Sequence, residues 1–225
     1  MDPEISRVLR PRSAARANYD RLSRWYDWVS APFERAAREH GLNLLDAQPG
    51  EAILEIGFGT GWALLALADS VGPNGLVCGV DPASGMLNMS LRRVRHLAHT
   101  HRIELLPGDA VELPFRPSCF DAVFMSFTLE LFDTPDILRV VRECERVLHA
   151  AGRICVVSLS KTQVPGALER MYERLHAGFP ITFDCRPIHV DTSLTSSGFE
   201  LAAVRTANLW GLPVAIALAT KPSAR

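Results

Sequence analysis

A glycine-rich turn between an apolar strand and an apolar helix is the feature that most constrains this chain. Residues 52–67 read AILEIGFGTGWALLAL, with glycine at positions 57, 59 and 61. A turn of this kind at the start of a helix exposes backbone N–H groups and positive partial charge, with no side chains in the way. The segment therefore predicts a polar, nucleotide-like ligand that lies on the backbone beyond a buried strand.

The spacing of the glycines separates two classes of cofactor. In the dinucleotide-binding pattern G-x-G-x-x-G the third glycine would stand at position 62, but this chain has Trp62 there. The pattern present is E-x-G-x-G-x-G, with Glu55 two residues before the first glycine. A carboxylate at that position would repel a pyrophosphate and favours a cationic ligand group. The stretch resembles motif I of the class I S-adenosylmethionine-dependent methyltransferases.

The rest of the chain alternates apolar strands with amphipathic helices. After the opening strand and a helix over 62–71, we expect strands over 76–80, 102–106, 120–127 and 154–159. A helix that Thr134 caps and Gly152 ends should precede the last of these. Two further runs, 200–209 and 212–220, are joined by two residues and must pair antiparallel. The sequence thus predicts an α/β fold: a doubly wound, mostly parallel seven-stranded sheet with a C-terminal antiparallel hairpin.

An N-terminal helical segment, residues 1–45, is predicted to precede a ligand-binding domain of residues 46–225. Its helical pattern includes a second helix that begins near Pro32 and ends at Gly41. Tyr19 and Tyr26 in this segment are candidates for contact with a substrate. The pattern is compatible with plain packing against the core and with a lid over the ligand, and both alternatives stay open.

Composition narrows the classes of partner and the cellular setting. The net charge of −1 over 225 residues gives no sign of a nucleic-acid partner, which would call for a basic surface. No apolar run approaches the roughly 20 residues of a membrane helix, and no signal segment is visible. The five cysteines are scattered without a C-x-x-C pair and are typical of reduced core thiols. We therefore expect a cytoplasmic protein, and no metal, because no metal-ligand spacing is present.

Taken in order, the motifs resemble the class I S-adenosylmethionine-dependent methyltransferases over about residues 15–221. The resemblance implies S-adenosylmethionine as the cofactor. Its methionine part would lie on Gly57, Gly59 and Gly61, with Glu55 behind them. Asp81, at the end of the second strand, is placed to accept the ribose hydroxyls. The other implied contacts are Pro82 and Met86 beside the adenosine, Asp109 and Ala110 at the adenine, and Ser126 and Phe127 where the methyl group emerges.

The chemistry of methyl transfer asks mainly for positioning and exclusion of water, and for a base only if the acceptor must lose a proton. The candidate bases are Glu130, His189 and His40. Glu130 ranks first because it follows the fourth strand, on the carboxyl edge where open α/β sheets bind ligands. The structural alternatives are a solvated loop acid for Glu130 and a structural histidine for His189.

Within that family the chain is most similar to the ubiquinone and menaquinone biosynthesis methyltransferases. The similarity rests on Tyr26-Asp27, Arg146-Val147-Leu148 and residues 196–199, whereas Glu130-Leu131 replaces the usual Arg-Asn pair. It implies a small, apolar or lipid-like acceptor, with C-methylation of a quinone precursor or N-methylation of a phospholipid amine as the alternatives. The aromatic, arginine-rich N-terminal segment suits either acceptor and peripheral contact with a membrane. An NAD-dependent oxidoreductase and a non-catalytic nucleoside-binding protein are the alternatives from other classes.

Overall fold

The structure is a computed structural model that describes residues 31–95, 102–162, 166–178, 185–209 and 211–223. The strands are β1 (Ala52–Ile56), β2 (Leu76–Asp81), β3 (Arg102–Pro107), β4 (Phe120–Ser126), β5 (Leu148–Leu159), β6 (Glu200–Leu209) and β7 (Leu212–Thr220). The helices are α1 (Ala31–Leu45), α2 (Trp62–Val71), α3 (Ser84–Val94), α4 (Thr134–Val147), α5 (Ala167–Gly178) and α6 (Val190–Thr195), with a short 3-10 helix over Leu129–Leu131.

The described strands form one sheet in the order β3-β2-β1-β4-β5-β7-β6. The first five of these run parallel, whereas β7 pairs antiparallel with both β5 and β6. The predicted doubly wound sheet with a C-terminal antiparallel hairpin is therefore confirmed. The connections from β1 lead outward to β2 and β3, and the chain then returns to place β4 on the other side of β1. This reversal creates a crevice beyond the carboxyl ends of β1 and β4, where open α/β sheets bind ligands.

Helices cover both faces of the sheet because the central strands are apolar on both sides. One apolar layer joins the sheet to α4 and α6 through Ile137, Val141 and Leu194. The other joins it to α1 and α2 through Ala37 and Leu64. Among the helices in the described ranges, none has the length and apolar character needed to cross a membrane.

Three predicted helix boundaries are wrong, each for a local reason. The N-cap of α4 is Asp133, whose Oδ1 accepts from the Thr134 N–H at 2.9 Å, rather than Thr134 itself. That helix ends at Val147 and the chain enters β5 directly, so Gly152 lies inside the strand. A Cβ at Gly152 would come within 3.1 Å of the Asp121 carbonyl oxygen. Gly41 does not end α1 either, because its lack of a side chain lets the helix press against Val157.

The described part of the N-terminal segment packs against the core. Helix α1 buries Ala37 and Leu45, and a Cβ at Gly41 would lie 2.4 Å from Cγ2 of Val157 in β5. Tyr19, Tyr26 and the rest of the predicted lid lie outside the described residues. The lid and the boundary between residues 45 and 46 stay predictions.

Arg153 of β5 ties the end of α1 to the sheet. Its guanidinium donates to the carbonyl oxygens of Leu45 at 2.6 Å and Asp46 at 2.9 Å, and forms a bidentate pair with Glu51 at 2.8 and 2.7 Å. Burial would raise the pKa of Glu51, but the hydrogen bonds from Arg153 and from the Gln48 backbone outweigh it and hold the pKa below its usual range. One planar side chain thus satisfies the helix end and the loop that follows it.

We expect Arg153→Ala to lower the free energy of unfolding by about 2–3 kcal/mol, because hydrogen bonds to charged groups are lost and two carbonyl groups lose their donor. The midpoint of urea unfolding measures this change. Arg35→Ala is the matched control, since Arg35 pairs only with Glu39 across an exposed turn of α1 in the described contacts. Equal midpoints for the two variants would show that Arg153 does not anchor α1.

Candidate ligand-binding site at the carboxyl edge of the sheet

The glycine turn after β1 holds its backbone in a conformation that side chains rarely adopt. The φ angles are 71° at Gly57, 50° at Gly59 and 85° at Gly61. A Cβ at Gly57 would lie 2.3 Å from Thr128 Oγ1, and one at Gly61 would lie 2.7 Å from Ser90 Oγ. A Cβ at Gly59 would meet none of the described residues within 4 Å. The outer glycines are therefore required by packing, whereas the middle one leaves a bare backbone surface that a ligand can approach.

Helix α3 holds the turn from outside. The Ser90 hydroxyl donates to the Gly59 carbonyl oxygen at 2.8 Å, and the Arg93 guanidinium donates to the Thr60 carbonyl oxygen. The same guanidinium lies 4.1 Å from the centre of the Trp62 ring, a cation–π contact. Trp62, which stands where a dinucleotide site would have its third glycine, thus covers the arginine that fixes the turn.

Asp81 connects the turn to the end of β2. It is 7% exposed, and its Oδ2 accepts from the Gly59 N–H at 3.0 Å while Oδ1 accepts from the Ala83 N–H at 2.8 Å. Each carboxylate oxygen can accept more than one hydrogen bond, so these contacts leave capacity for a ligand hydroxyl. The structure brings this predicted site residue directly against the glycine turn.

Glu55 lies beneath the turn, inside the sheet. It is only 3% exposed, and its Oε2 has no hydrogen-bond partner among the described residues. Burial raises the pKa of Glu55 to about 8; the Arg38 charge opposes this shift and the Asp81 charge adds to it. A buried acid oxygen without a donor is costly, so it fits the approach of a ligand that brings a donor, above all a cationic one.

The loop after β3 places Asp109 and Ala110 beside Asp81. The Gly108 N–H donates to the Asp81 carbonyl oxygen at 3.2 Å, and Asp109 Oδ1 accepts from the Val111 N–H at 3.2 Å. Ala110 is buried at 4% exposure. At the start of α3, Met86 is buried and Pro82 is exposed. All of these predicted residues therefore share the carboxyl edge of β2 and β3.

The end of β4 forms the other wall of the crevice. Phe127 is buried, has a φ of 51°, and donates its N–H to the Val157 carbonyl oxygen at 2.8 Å. Thr128 Oγ1 donates to the Ser126 carbonyl oxygen at 3.1 Å and fills the space that Gly57 leaves. The sequence reasoning missed Thr128 and Ser90, because a small hydroxyl residue after a strand or in a helix carries no pattern of its own.

Glu130 is fully buried within the 3-10 helix after β4, so the alternative of a solvated loop acid is wrong. Its Oε1 accepts from the Leu159 N–H at 3.2 Å, and its Oε2 has no hydrogen-bond partner among the described residues. Burial raises the pKa of Glu130 to about 8 against the opposing effect of hydrogen bonds from the backbone and Ser158. The carboxyl group is therefore largely protonated at neutral pH.

The two candidate histidines lie elsewhere. His189 precedes α6 and lines a cavity of about 520 Å³ together with Ser160, Lys161 and residues of β6 and β7. No residue of the glycine turn, nor Asp81 or Asp109, lines that cavity. His40 lies on the exposed side of α1. The structure thus brings Glu55, the glycines, Asp81 and Asp109 together and leaves both histidines outside that group.

Comparison with known proteins shows which family this chain is similar to. Residues 53–152 match a family described as a methyltransferase domain. The demethylmenaquinone methyltransferase of Listeria welshimeri is 33% identical over 150 residues, which is 66% of this chain and 61% of the relative. The chain therefore spans less than two thirds of the length of that relative.

Solved structures share the fold at lower identity. The 1,6-didemethyltoxoflavin-N1-methyltransferase of Burkholderia thailandensis, solved with 1,6-didemethyltoxoflavin and S-adenosylhomocysteine, has a TM-score of 0.72 at 16% identity and covers 99% of this chain and 98% of its own. The [4+2]-cyclase SpnF has a TM-score of 0.67 at 18% identity and covers 92% and 97%. Together these comparisons confirm the resemblance to the class I S-adenosylmethionine-dependent methyltransferases, near the quinone-methylating branch.

The buried carboxyl group of Glu130 predicts a pH dependence of stability. Its pKa is raised in the folded protein, so folding takes up a proton between about pH 4.5 and 8. The stability that this proton uptake contributes is lost as pH rises through the pKa of the folded protein. Glu130→Gln cannot titrate, so its stability relative to wild type should rise between pH 6 and 9 by at most about 1.4 kcal/mol per pH unit. Urea unfolding at pH 5, 7 and 9 measures this.

Glu200→Gln serves as the control for that experiment, because Glu200 is exposed on the edge strand β6. Glu55 is present in both proteins, so its own effect on the pH dependence of stability cancels in the comparison. Stability profiles of wild type and Glu130→Gln that run parallel from pH 6 to 9 would contradict a raised pKa at Glu130.

Proposed function

We propose that this chain, as a relative of the class I S-adenosylmethionine-dependent methyltransferases, transfers a methyl group from S-adenosylmethionine to a small, apolar or lipid-like acceptor. The observation that carries the proposal is an open backbone at Gly59, four residues after Glu55, whose buried Oε2 has no hydrogen-bond partner among the described residues. A ligand with a cationic amino group and a polar body satisfies both. A dinucleotide would instead bring its pyrophosphate, which has acceptor oxygens but no donor, toward that oxygen.

The residues at the carboxyl edge contact different parts of the cofactor. Glu55 and the glycine turn hold the methionine part, and Asp81 accepts from the ribose hydroxyls. The remaining contacts are Pro82 and Met86 beside the adenosine, Asp109 and Ala110 at the adenine, and Ser126 and Phe127 at the methyl group. When bound, S-adenosylmethionine supplies an activated methyl group on a positively charged sulfur.

The protein's own contribution is position, exclusion of water and the handling of one proton. Phe127 and the buried ends of β1 and β4 keep the floor of the crevice apolar. If the acceptor loses a proton, Glu130 takes it at Oε2, the oxygen without a partner among the described residues. A base with a pKa of about 8 is mostly protonated at pH 7, so the fraction that can act rises with pH.

The similarity to known methyltransferases supports the proposed class of acceptor. The similarity to demethylmenaquinone methyltransferases supports C-methylation of a quinone precursor. The amine of a phospholipid is the second candidate, which the arginines and aromatic side chains of residues 1–45 favour because they suit an anionic, apolar surface. Peripheral contact with a membrane belongs to either acceptor.

Two functions of other classes remain as outcomes of the binding test. One structural neighbour, SpnF, is named as a [4+2]-cyclase, so the fold by itself does not dictate methyl transfer. A nicotinamide-dependent oxidoreductase would bind NAD, and a non-catalytic nucleoside-binding protein would bind the adenosyl ligand without turnover.

Isothermal titration calorimetry of the wild type with S-adenosylmethionine, S-adenosylhomocysteine and NAD tests the cofactor. We expect micromolar binding of both adenosyl ligands and none of NAD. Asp81→Ala should weaken S-adenosylhomocysteine binding at least about tenfold, or 1.4 kcal/mol, because the ribose loses its acceptor. Asp69→Ala, at an exposed acid of α2, is the control, and Asp81→Asn keeps one oxygen for the Gly59 N–H. Undiminished affinity in Asp81→Ala would refute the ribose role.

Turnover of Glu130→Gln tests the base. With quinone precursors and phosphatidylethanolamine vesicles as acceptors, formation of S-adenosylhomocysteine should slow at least about tenfold while cofactor affinity is unchanged. The wild-type rate should rise from pH 6 to 8 as Glu130 ionises. His189→Ala is the parallel variant for the second candidate. Full activity of Glu130→Gln removes Glu130 as a base.

A further inference from the structure

An ion pair on α4 holds the loop that follows Asp109 and Ala110. Arg146 and Glu143, one turn apart, form a bidentate pair with N–O distances of 2.7 and 2.8 Å. The pairing is strong enough to lower the pKa of Glu143 and raise that of Arg146, with the mutual hydrogen bond as the leading cause in both. Both side chains are partly buried and contact the loop between β3 and β4.

Each member of the pair also binds the backbone of that loop. Glu143 Oε2 accepts from the Leu113 N–H at 2.8 Å. Arg146 donates to the carbonyl oxygens of Leu113 at 3.1 Å and Phe115 at 2.8 Å. The planar guanidinium fork reaches two carbonyl groups and a carboxylate at once, which the single ammonium group of a lysine does not.

The backbone of α4 fixes the far end of the same loop. The Ser118 N–H donates to the Arg146 carbonyl oxygen at 3.0 Å, and the Cys119 N–H donates to that of Val147 at 2.8 Å. Phe115 packs edge-on against Phe120 with 4.9 Å between ring centres. The near end is fixed by the bond from Gly108 to Asp81. Only the middle of the loop needs side chains to hold it.

We propose that Glu143 and Arg146 are positioning residues that set the selectivity of the site for adenine. The inference rests on the proposed function, because it takes Asp109 and Ala110 as the adenine contacts. These two residues lie between the Asp81 anchor and Leu113, and the Asp109 carbonyl oxygen accepts from the Glu112 N–H at 3.1 Å. The pair therefore fixes the position of Asp109 relative to the sheet. This also fixes the position of its carboxylate, the proposed acceptor for the amino group of adenine.

The test compares by calorimetry two ligands that differ only at the Watson–Crick edge of the base, S-adenosylhomocysteine and S-inosylhomocysteine. The inosyl ligand has a 6-oxo group in place of the amino group and a protonated N1. Arg146→Lys should weaken the adenosyl ligand at least about tenfold, or 1.4 kcal/mol, and shrink its preference over the inosyl ligand at least fivefold. Glu143→Gln keeps an acceptor for the Leu113 N–H and should give a smaller loss in the same direction. Arg139→Lys is the matched control, because Arg139 pairs with Asp136, also three residues away on α4, through a single contact of 3.2 Å, and its side chain is exposed.

The preference between the two ligands distinguishes the proposed positioning role from a merely structural one. Loss of stability alone would weaken both ligands alike, as Asp81→Ala should, and would leave the preference intact. Hydrogen exchange of the Val111 and Leu113 amides in the ligand-free protein adds a readout independent of binding, and should be faster in Arg146→Lys than in Arg139→Lys. Unchanged adenine preference in a folded Arg146→Lys overturns the role of the pair. Failure of the wild type to bind S-adenosylhomocysteine overturns the proposed function as well.

Discussion

The close approach of the glycine turn to its neighbours is the constraint on which the rest of the site depends. Thr128, from the segment after β4, occupies the space where Gly57 would carry a side chain, and Ser90 of α3 does so at Gly61. These contacts pull three separate parts of the chain into one crevice. The Gly59 N–H then meets Asp81 at the end of β2, so the turn and the neighbouring strand are fixed together. A ligand finds a backbone surface that is already in place, and binding need not order it.

Two buried acids accompany the strands that border the crevice, and the fold alone does not explain them. Glu55 and Glu130 stand at the ends of neighbouring strands β1 and β4, and each has one carboxyl oxygen without a hydrogen-bond partner among the described residues. Burying such groups works against folding, since the protein must keep them protonated or bring them a donor. Such groups occur in binding and catalytic sites, because a carboxyl group with a shifted pKa can bind a ligand or transfer a proton. The two acids differ in what surrounds them: Glu55 lies under the open turn, whereas Glu130 is linked to β5 through the Leu159 N–H.

Local patterns in the sequence predicted the sheet, and the family resemblance supplied the candidate site residues, but neither predicted the contacts that fix them. The strands follow from apolar runs that end near Gly57, Asp81 and Ser126, and such runs are properties of neighbouring residues. Gly152 and Gly41 were read as helix ends, because glycine usually ends a helix, whereas here each admits a partner more than 30 residues away in sequence. The burial of Glu130 was equally invisible, since the 3-10 helix that turns it inward has no pattern of its own.

Arginines supply the long-range ties that sequence patterns cannot show. Binding loops carry irregular backbone, and their carbonyl groups need donors wherever the loop is partly buried. An arginine on a helix or strand supplies several donors in one plane. It can donate to neutral carbonyl groups as well as to carboxylates. Four arginines make such contacts: Arg93 at the turn after β1, Arg146 at the loop after β3, Arg153 at the end of α1 and Arg186 before α4. Each of these side chains reads in the sequence as an ordinary surface charge, yet each donates to a backbone carbonyl distant in sequence. The strands and helices thus hold irregular segments around them, two of which border the crevice, through contacts that their own backbone hydrogen bonds could not make.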